Sequence, residues 1–493
     1  MIVSPGPGGP RLRFIICYVV ETSPQGVKPP MLRGRGPFGV LTEVLDDYLG
    51  TLLRAVRELG PVVQIDPGPP GWRGTFYSVA SPEDAAELLG QPDRYTKDEP
   101  GYREIKNCLG NGMLTSEGDV WLRQRRMLAP IFTRRRIAGS YVPIMVEEAQ
   151  RVARRWRAAG EAGDAVDADS EMLELASRII GRILFGSDMS SAMPEIMRAS
   201  YVNHELMRRC LTPHPMPMWV PTPANRKLRA GVTEIRSVVA RLIANRRAEG
   251  GASDDMLGLL LAASDTEGGG RLTNDEVIDQ ALTFLMAGHD TTASTLACAF
   301  AELARHPAWQ DRVREELARE LGDRPPTAED LPRLVWTSRV IRETMRLYPA
   351  SHSQGRSPVQ DEVLGGYLIP AGSTVVVSSY ALHRAPGNWE DPDLFDPARY
   401  EVPADAAASD CKHAWMAFGS GPHTCVGAQL ATMETAIVLA TILPHVELST
   451  TLTSVPVEAA MTLKPARSLP LTVRSSPRTA VDASGSQEQS EEG

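Results

Sequence analysis

The feature that most restricts this chain is one uninterrupted helical pattern. Thr273-Asn274-Asp275-Glu276 is a capping box of the T-x-x-E form, and the pattern it opens meets no breaker until His306, where Pro307 stops it. At about 1.5 Å of rise per residue this is a helix of roughly 50 Å, long enough to cross a whole domain. Leu282, Leu285, Met286 and Leu296 make it apolar on nearly every side, so it belongs inside a fold rather than on its surface. Its one polar stretch, Ala287-Gly288-His289-Asp290-Thr291-Thr292, is then buried too, and buried polar groups are costly unless satisfied or used. Gly288 weakens a helix and a threonine can redirect a backbone bond, so a local widening or kink is expected there. A solvated face that merely tolerates Asp290 and Thr291 is the plainer alternative, and the apolar flanks speak against it.

Around that helix the chain reads as mainly α with a minor β region. Residues 42–59 form an amphipathic helical pattern, 74–79 a strand, 363–377 two short strands around Pro370-Ala371-Gly372, and 428–443 a further helix. Pro213, Pro215, Pro217, Pro221 and Pro223 interrupt two helical segments with a loop expected to be mobile. Residues 1–36 read as an irregular arm, 37–474 as one domain, and 475–493, rich in Ser, Glu, Gln and Gly, as a disordered tail.

Composition narrows the function classes. Across 493 residues, 52 basic against 61 acidic side chains leave a net charge of −9, the wrong sign for general phosphate neutralisation, so no nucleic-acid partner is expected. The six cysteines, Cys17, Cys108, Cys210, Cys298, Cys411 and Cys425, are too few and too scattered for a disulfide framework, which fits a reducing cytoplasm. The longest apolar run near the start, residues 14–20, is far short of the roughly 20 residues a spanning helix needs, so no membrane anchor is expected.

The chemistry concentrates at Phe418-Gly419-Ser420-Gly421-Pro422-His423-Thr424-Cys425-Val426-Gly427. Two glycines and a proline make a tight loop, and a helix follows at once, so the thiol sits at a helix N-terminus where the dipole and free N–H groups favour thiolate. Such a thiolate is a nucleophile or a metal ligand; an inert buried cysteine is about as common an outcome. Cys411-x-His413 with His423-x-Cys425 could form a tetrahedral zinc set, although one intervening residue is tighter than zinc pairs use. His423 as a base for Cys425 is awkward at a separation of two residues in one turn.

Phe418-x-x-Gly421-x-His423-x-Cys425-x-Gly427 resembles the haem-binding loop of the cytochrome P-450 superfamily, in its soluble bacterial form, with His423 where the family usually has Arg. Other stretches match in the family's order. Glu343-Thr344-Met345-Arg346 resembles its E-x-x-R helix, and Arg399 in Phe395-Asp396-Pro397-Ala398-Arg399-Tyr400 stands where the family completes a buried Glu-Arg-Arg cluster. Ala287 to Thr292 is similar to its oxygen-activation segment, Trp121-x-x-x-Arg125 to its W-x-x-x-R helix, and Arg356 to a position that binds a haem propionate.

The resemblance implies a triangular-prism fold with the long central helix lying over the haem. It also implies a haem-thiolate monooxygenase, with haem b (iron protoporphyrin IX) ligated by Cys425. Trp121, Arg125, Ala287, Gly288, Arg356, Phe418, His423 and Gly427 would contact the cofactor, and Asp290 and Thr291 would deliver protons as catalytic residues. One atom of O₂ would enter a small hydrophobic substrate of terpenoid, fatty-acyl or polyketide type, in bacterial secondary metabolism. The chain contains no Rossmann-type dinucleotide-binding unit, its one G-x-G-x-x-G match (Gly34 to Gly39) falling in a Pro- and Gly-rich stretch at the end of the arm, and no iron–sulfur cysteine cluster, so electrons are expected from an external ferredoxin or flavodoxin with its reductase. The basic run Arg123, Arg126, Arg134, Arg135, Arg136 is a candidate docking face. Thr283, Ala287 and Thr291, with Ser351 and His352, are expected to face the substrate, and residues 95–114 to shape access. A monomer is expected. A non-catalytic haem-thiolate sensor and a zinc-stabilised interaction protein are the alternatives from other classes.

Overall fold

The computed structural model describes residues 26–475 apart from 35, 37, 187–192, 249, 251–252, 266–271 and 402–412. The expected disordered tail beyond Ser475 and the first 25 residues of the expected arm therefore lie outside the described residues. Within the remainder of that arm, Met31–Leu32 is not irregular: it pairs in parallel with the strand Val62–Ile65.

The long helix forms as its sequence dictates. Asn274–Arg305 runs for 32 residues, Thr273 accepts the N–H of Glu276, and Glu276 returns a bond to the Thr273 N–H at 2.8 Å. This central helix is buried along most of its length, packed on Ala168–Phe185 and on Ala428–Ile442. The Trp156 and Phe300 rings meet edge-on at 5.0 Å beside it. It runs unbroken through Gly288, so the expected widening is absent. A Cβ on Gly288 would lie 2.7 Å from Ile180 Cγ1, so glycine serves close helix packing at this point.

Two further elements differ from expectation for local reasons. The pattern over 42–59 is two helices, Leu41–Asp46 and Tyr48–Leu59, because Asp47 leaves helical geometry and caps the second by accepting the Gly50 N–H at 2.9 Å. The segment 363–377 is three strands, not two. Glu362–Leu364 and Tyr367–Ile369 close a hairpin through Gly365 and Gly366, both at positive φ, while Thr374–Val377 joins another sheet.

That other sheet has six strands in the order Met31–Leu32, Val62–Ile65, Phe76–Val79, Thr374–Val377, Gln354–Pro358, Tyr95–Thr96. Its last two strands pair Tyr95 with Pro358 and Thr96 with Ser357, which brings residues 97 and 356 to one edge although 259 positions separate them in sequence (356 − 97). The Pro-rich segment connects Met193–Leu211 to Pro223–Ala248.

Candidate functional site

The cysteine loop is built by its glycines. Gly419 and Gly421 adopt φ of +75° and +71°, and a Cβ on Gly421 would sit 2.3 Å from the Leu89 carbonyl oxygen, so no other residue fits there. The turn carries the chain back until the Cys425 N–H donates to the Phe418 carbonyl at 3.0 Å, and Ala428–Ile442 starts three residues later. Arg125, on the helix Gly118–Leu128, donates to the Thr424 carbonyl at 3.1 Å and clamps the loop from outside. Burial pushes the Cys425 thiol above its usual range, while the Gly427 and Ala428 N–H groups and Arg125 pull it down. The helix terminus thus acts in the expected direction, but desolvation outweighs it until a cation shares the sulfur.

Cys425 opens onto a cavity of about 1290 Å³. Every residue expected to contact a cofactor borders this cavity, as do Thr283, Thr291, Ser351 and His352. Ala287, Gly288 and Thr291 of the central helix border the same cavity, as do Lys97, Arg125, Arg356 and His423. His423 packs against Trp121 with ring centroids 4.1 Å apart, and burial together with Lys97, Arg356 and Arg125 drives its pKa down to about 3. Its Nδ1 is buried without a hydrogen-bond partner. Lys97, 5 % exposed, is itself pushed down to about 7 by burial and by Arg356. Four groups that attract anions, from four separate segments, thus crowd each other at the rim of a thiol-floored chamber. This arrangement fits a flat group carrying carboxylates at one edge and a thiolate-seeking metal at its centre, as haem does. Lys97 went unrecognised in the sequence; the available signal was a lysine retained in a chain that has only six.

The catalytic candidates separate. Thr291 faces the cavity and its hydroxyl donates to the Ala287 carbonyl at 2.6 Å. Asp290 does not border the cavity. Its carboxylate lies 3.0 Å from His289 Nε2 and accepts from the amide of Asn203 on Met193–Leu211. His289 donates from Nδ1 to the Leu285 carbonyl at 2.7 Å, so both ring nitrogens face acceptors and Asp290 raises its pKa against the effect of burial. Neither Asn203 nor His289 was singled out from sequence, since only the packing of the two helices brings Asn203 to Asp290.

Behind the cysteine loop lies a buried ion cluster. Glu343 receives Arg346 Nε and Nη2, each at 2.8 Å, and Arg399 Nε, also at 2.8 Å, so Arg399 is the third member. Tyr400 adds its hydroxyl to Glu343 at 3.1 Å. Arg346 continues to the His383, Pro392 and Leu394 carbonyls. His383 then joins the cluster to the loop by accepting the Met416 N–H at 2.8 Å. The basic run is partly consumed: Arg123 pairs with Glu276 and Arg136 with Asp254, whereas Arg126, Arg134 and Arg135 are exposed. Among the described residues no group of His, Cys, Asp and Glu could hold a metal ion, and Cys411 of the zinc reading lies outside them. No helix among the described residues is long and apolar enough to cross a membrane.

Residues 41–469 match the family described as cytochrome P-450. The chain is 35% identical over 385 residues to cyclooctat-9-en-7-ol 5-monooxygenase of Streptomyces melanosporofaciens, covering 78% of this chain and 81% of that protein. It is 32% identical over 386 residues to pentalenene oxygenase of Streptomyces avermitilis, covering 78% and 83%. The crystal structure of the cytochrome P450DA haem domain superimposes with a TM-score of 0.81 at 29% identity, covering 92% of this chain and 99% of that one. With a cysteine and a long buried helix bordering one cavity, a cationic rim and these relatives together, the chain belongs to the cytochrome P-450 family, and it is a haem-thiolate monooxygenase acting on a hydrophobic substrate.

Proposed function

We propose that the chain hydroxylates a polycyclic terpenoid, with haem b held by Cys425 and electrons supplied by a separate ferredoxin or flavodoxin and its reductase, as a cytoplasmic monomer. The terpenoid class rests on the two Streptomyces relatives, whose names state oxidations of a cyclic terpene alcohol and of pentalenene. The observation that carries the reading is Cys425 opening onto a large cavity that Ala287, Gly288 and Thr291 of the central helix also border. When bound, haem supplies O₂ activation, placing one oxygen atom in a substrate C–H bond and the other in water.

The residues divide that work. Lys97, Arg125, Arg356 and His423 would hold the propionates, Trp121 would pack beside them, and Phe418, Gly427, Ala287 and Gly288 would line the two faces of the plane. Asp290, held as a carboxylate by His289 and Asn203, would keep a proton on His289 just outside the chamber. Thr291 would pass that proton inward through its Oγ1, releasing the Ala287 carbonyl as it does so. Arg126, Arg134 and Arg135 offer an acidic redox protein a positive landing surface.

The test is the difference spectrum of the reduced protein with and without CO, since the band position reports the axial ligand. A strongly red-shifted Soret band in the native protein, lost in Cys425→Ser, is expected. A band at the imidazole-type position would overturn thiolate ligation by Cys425. Oxygenated product from a cyclic terpene, with a surrogate ferredoxin system, completes the assignment; haem-thiolate spectra with no product from any terpene would favour the sensor reading.

A further inference from the structure

The cavity reaches the surface beside the Pro-rich segment. Pro213, Pro215, Pro217 and Trp219 border it, yet Trp219 is 77% exposed and Met216 55%. Two neighbouring stretches carry large apolar side chains in the same state. Trp72 is 42% exposed with its ring 5.9 Å from that of His214, and Phe38 is 52% exposed, its carbonyl accepting the Gly68 N–H at 3.0 Å. Gly74 draws the two sides together, since a Cβ there would sit 2.9 Å from Pro213 Cβ. Single exposed apolar residues are normal on a protein surface, but four large ones on three adjoining loops make a patch.

Charge singles out the same stretches. In a chain with a net charge of −9, residues 26–42, 67–82 and 206–233 contain no aspartate or glutamate, and their Lys28, Arg33, Arg226, Lys227 and Arg229 are exposed. Three of the acids that flank them are already paired, Glu43 with Arg54, Asp66 with Arg73 and Glu205 with Arg208. The Pro-rich loop also leaves little backbone polarity open. Its five prolines lack an N–H, the Val220 N–H goes to the Pro217 carbonyl at 3.0 Å and the Thr222 N–H to the Val220 carbonyl at 2.9 Å. Asn225 donates its side-chain amide to the Pro217 and Val220 carbonyls, each at 2.9 Å. Open backbone groups are what a water-poor medium penalises, and this loop has few to lose.

We propose that this face is a peripheral membrane-binding surface: it rests reversibly on an anionic lipid bilayer, with Trp219, Met216, Trp72 and Phe38 at the boundary of headgroups and acyl chains and the basic side chains against lipid phosphates. Tryptophan suits that boundary because its ring is apolar while its N–H stays hydrated. Anionic headgroups answer the missing acids and the acyl layer answers the exposed rings, whereas a polar acidic partner would answer only the first. No spanning helix is needed, and attachment through side chains alone is reversible. The lipid contact stands on this surface by itself. Its consequence rests on the monooxygenase reading: the mouth of the cavity then faces the phase in which a terpenoid dissolves.

Sedimentation of the full, haem-loaded chain with lipid vesicles tests this. Binding to vesicles of equal parts phosphatidylcholine and phosphatidylglycerol is expected, with affinity about tenfold or more above that for phosphatidylcholine alone, and it should weaken in high salt. In Trp219→Glu/Met216→Glu the affinity for anionic vesicles should fall by about a hundredfold, with the CO band as in the native protein. Arg226→Gln/Arg229→Gln, which spares the apolar side chains, should lose about tenfold or more on anionic vesicles and nothing on phosphatidylcholine. No sedimentation of the native chain with anionic vesicles, undiminished binding by the glutamate variant, or a dimer that this variant dissolves while vesicles go unbound would each overturn the proposal. A missing CO band with vesicle binding intact would strike the monooxygenase reading and leave the membrane surface standing.

Discussion

His383 shows how one side chain couples the ion cluster to the cysteine loop. It is fully buried, donates from Nδ1 to the Arg346 carbonyl at 2.9 Å, and accepts the Met416 N–H at Nε2. Both bonds require the neutral ring, and burial beside Arg346 and Arg384 lowers its pKa to about 3. The sign of the pH dependence follows. In the unfolded chain His383 takes a proton near its ordinary value of about 6.5, so below that pH the unfolded state binds more protons and stability falls. The contribution is complete above about 6.5 and is lost at up to about 1.4 kcal/mol per pH unit as pH drops toward 3. Urea midpoints measured from pH 7 to pH 4 should decline less steeply in His383→Gln than in the native protein; identical slopes would show that His383 is protonated in the fold. Nothing near His383 in the sequence announces this role. Its partners are 37 residues before it and 33 after it.

At the scale of elements, what the sequence made legible was what is local. The central helix could be read because a capping box and a terminating proline stand at its ends, and the E-x-x-R turn because its two members are three residues apart. The break at Asp47 was missed because the apolar period continues across it, although an aspartate three residues before Gly50 is a recognisable cap. The hairpin at Gly365-Gly366 was missed although paired glycines are a strong turn signal. Lys97 and Asn203 were illegible for a different reason: strand pairing and helix packing, not spacing, deliver them to the site. The cap also gives a quantitative expectation. Thr273→Ala removes the acceptor for the Glu276 N–H and breaks the reciprocal box, which should cost about 1 kcal/mol. Since the central helix is packed along nearly its whole length, the loss should appear as lower global stability with an unchanged denaturant slope. A changed slope would mean that the first turns melt separately.

The whole molecule uses its sheet, a helix and its loops to gather cationic side chains around one neutral histidine. Lys97 follows one edge strand, Arg356 lies on its neighbour, Arg125 comes from a helix, and His423 from the cysteine loop. Burial first, and the neighbouring cations second, lower the affinity of Lys97 and His423 for protons. Left uncompensated, such a cluster opposes folding; a dianionic ligand at the rim reverses the sign, and binding energy then becomes folding energy. Haem should therefore raise the melting temperature of the protein, and haem with both propionates methylated should raise it less. Charge-assisted hydrogen bonds are worth roughly 1.5–3 kcal/mol each. For a chain of this length 1 kcal/mol corresponds to about 1 °C by the usual unfolding entropy per residue, so losing two such bonds should separate the two ligands by about 3–6 °C. Equal stabilisation by haem and its dimethyl ester, at equal occupancy, would show that the cationic rim has another purpose. In Lys97→Met, where the repulsion is relieved in advance, the gap between the two ligands should narrow while the ligand-free protein becomes more stable.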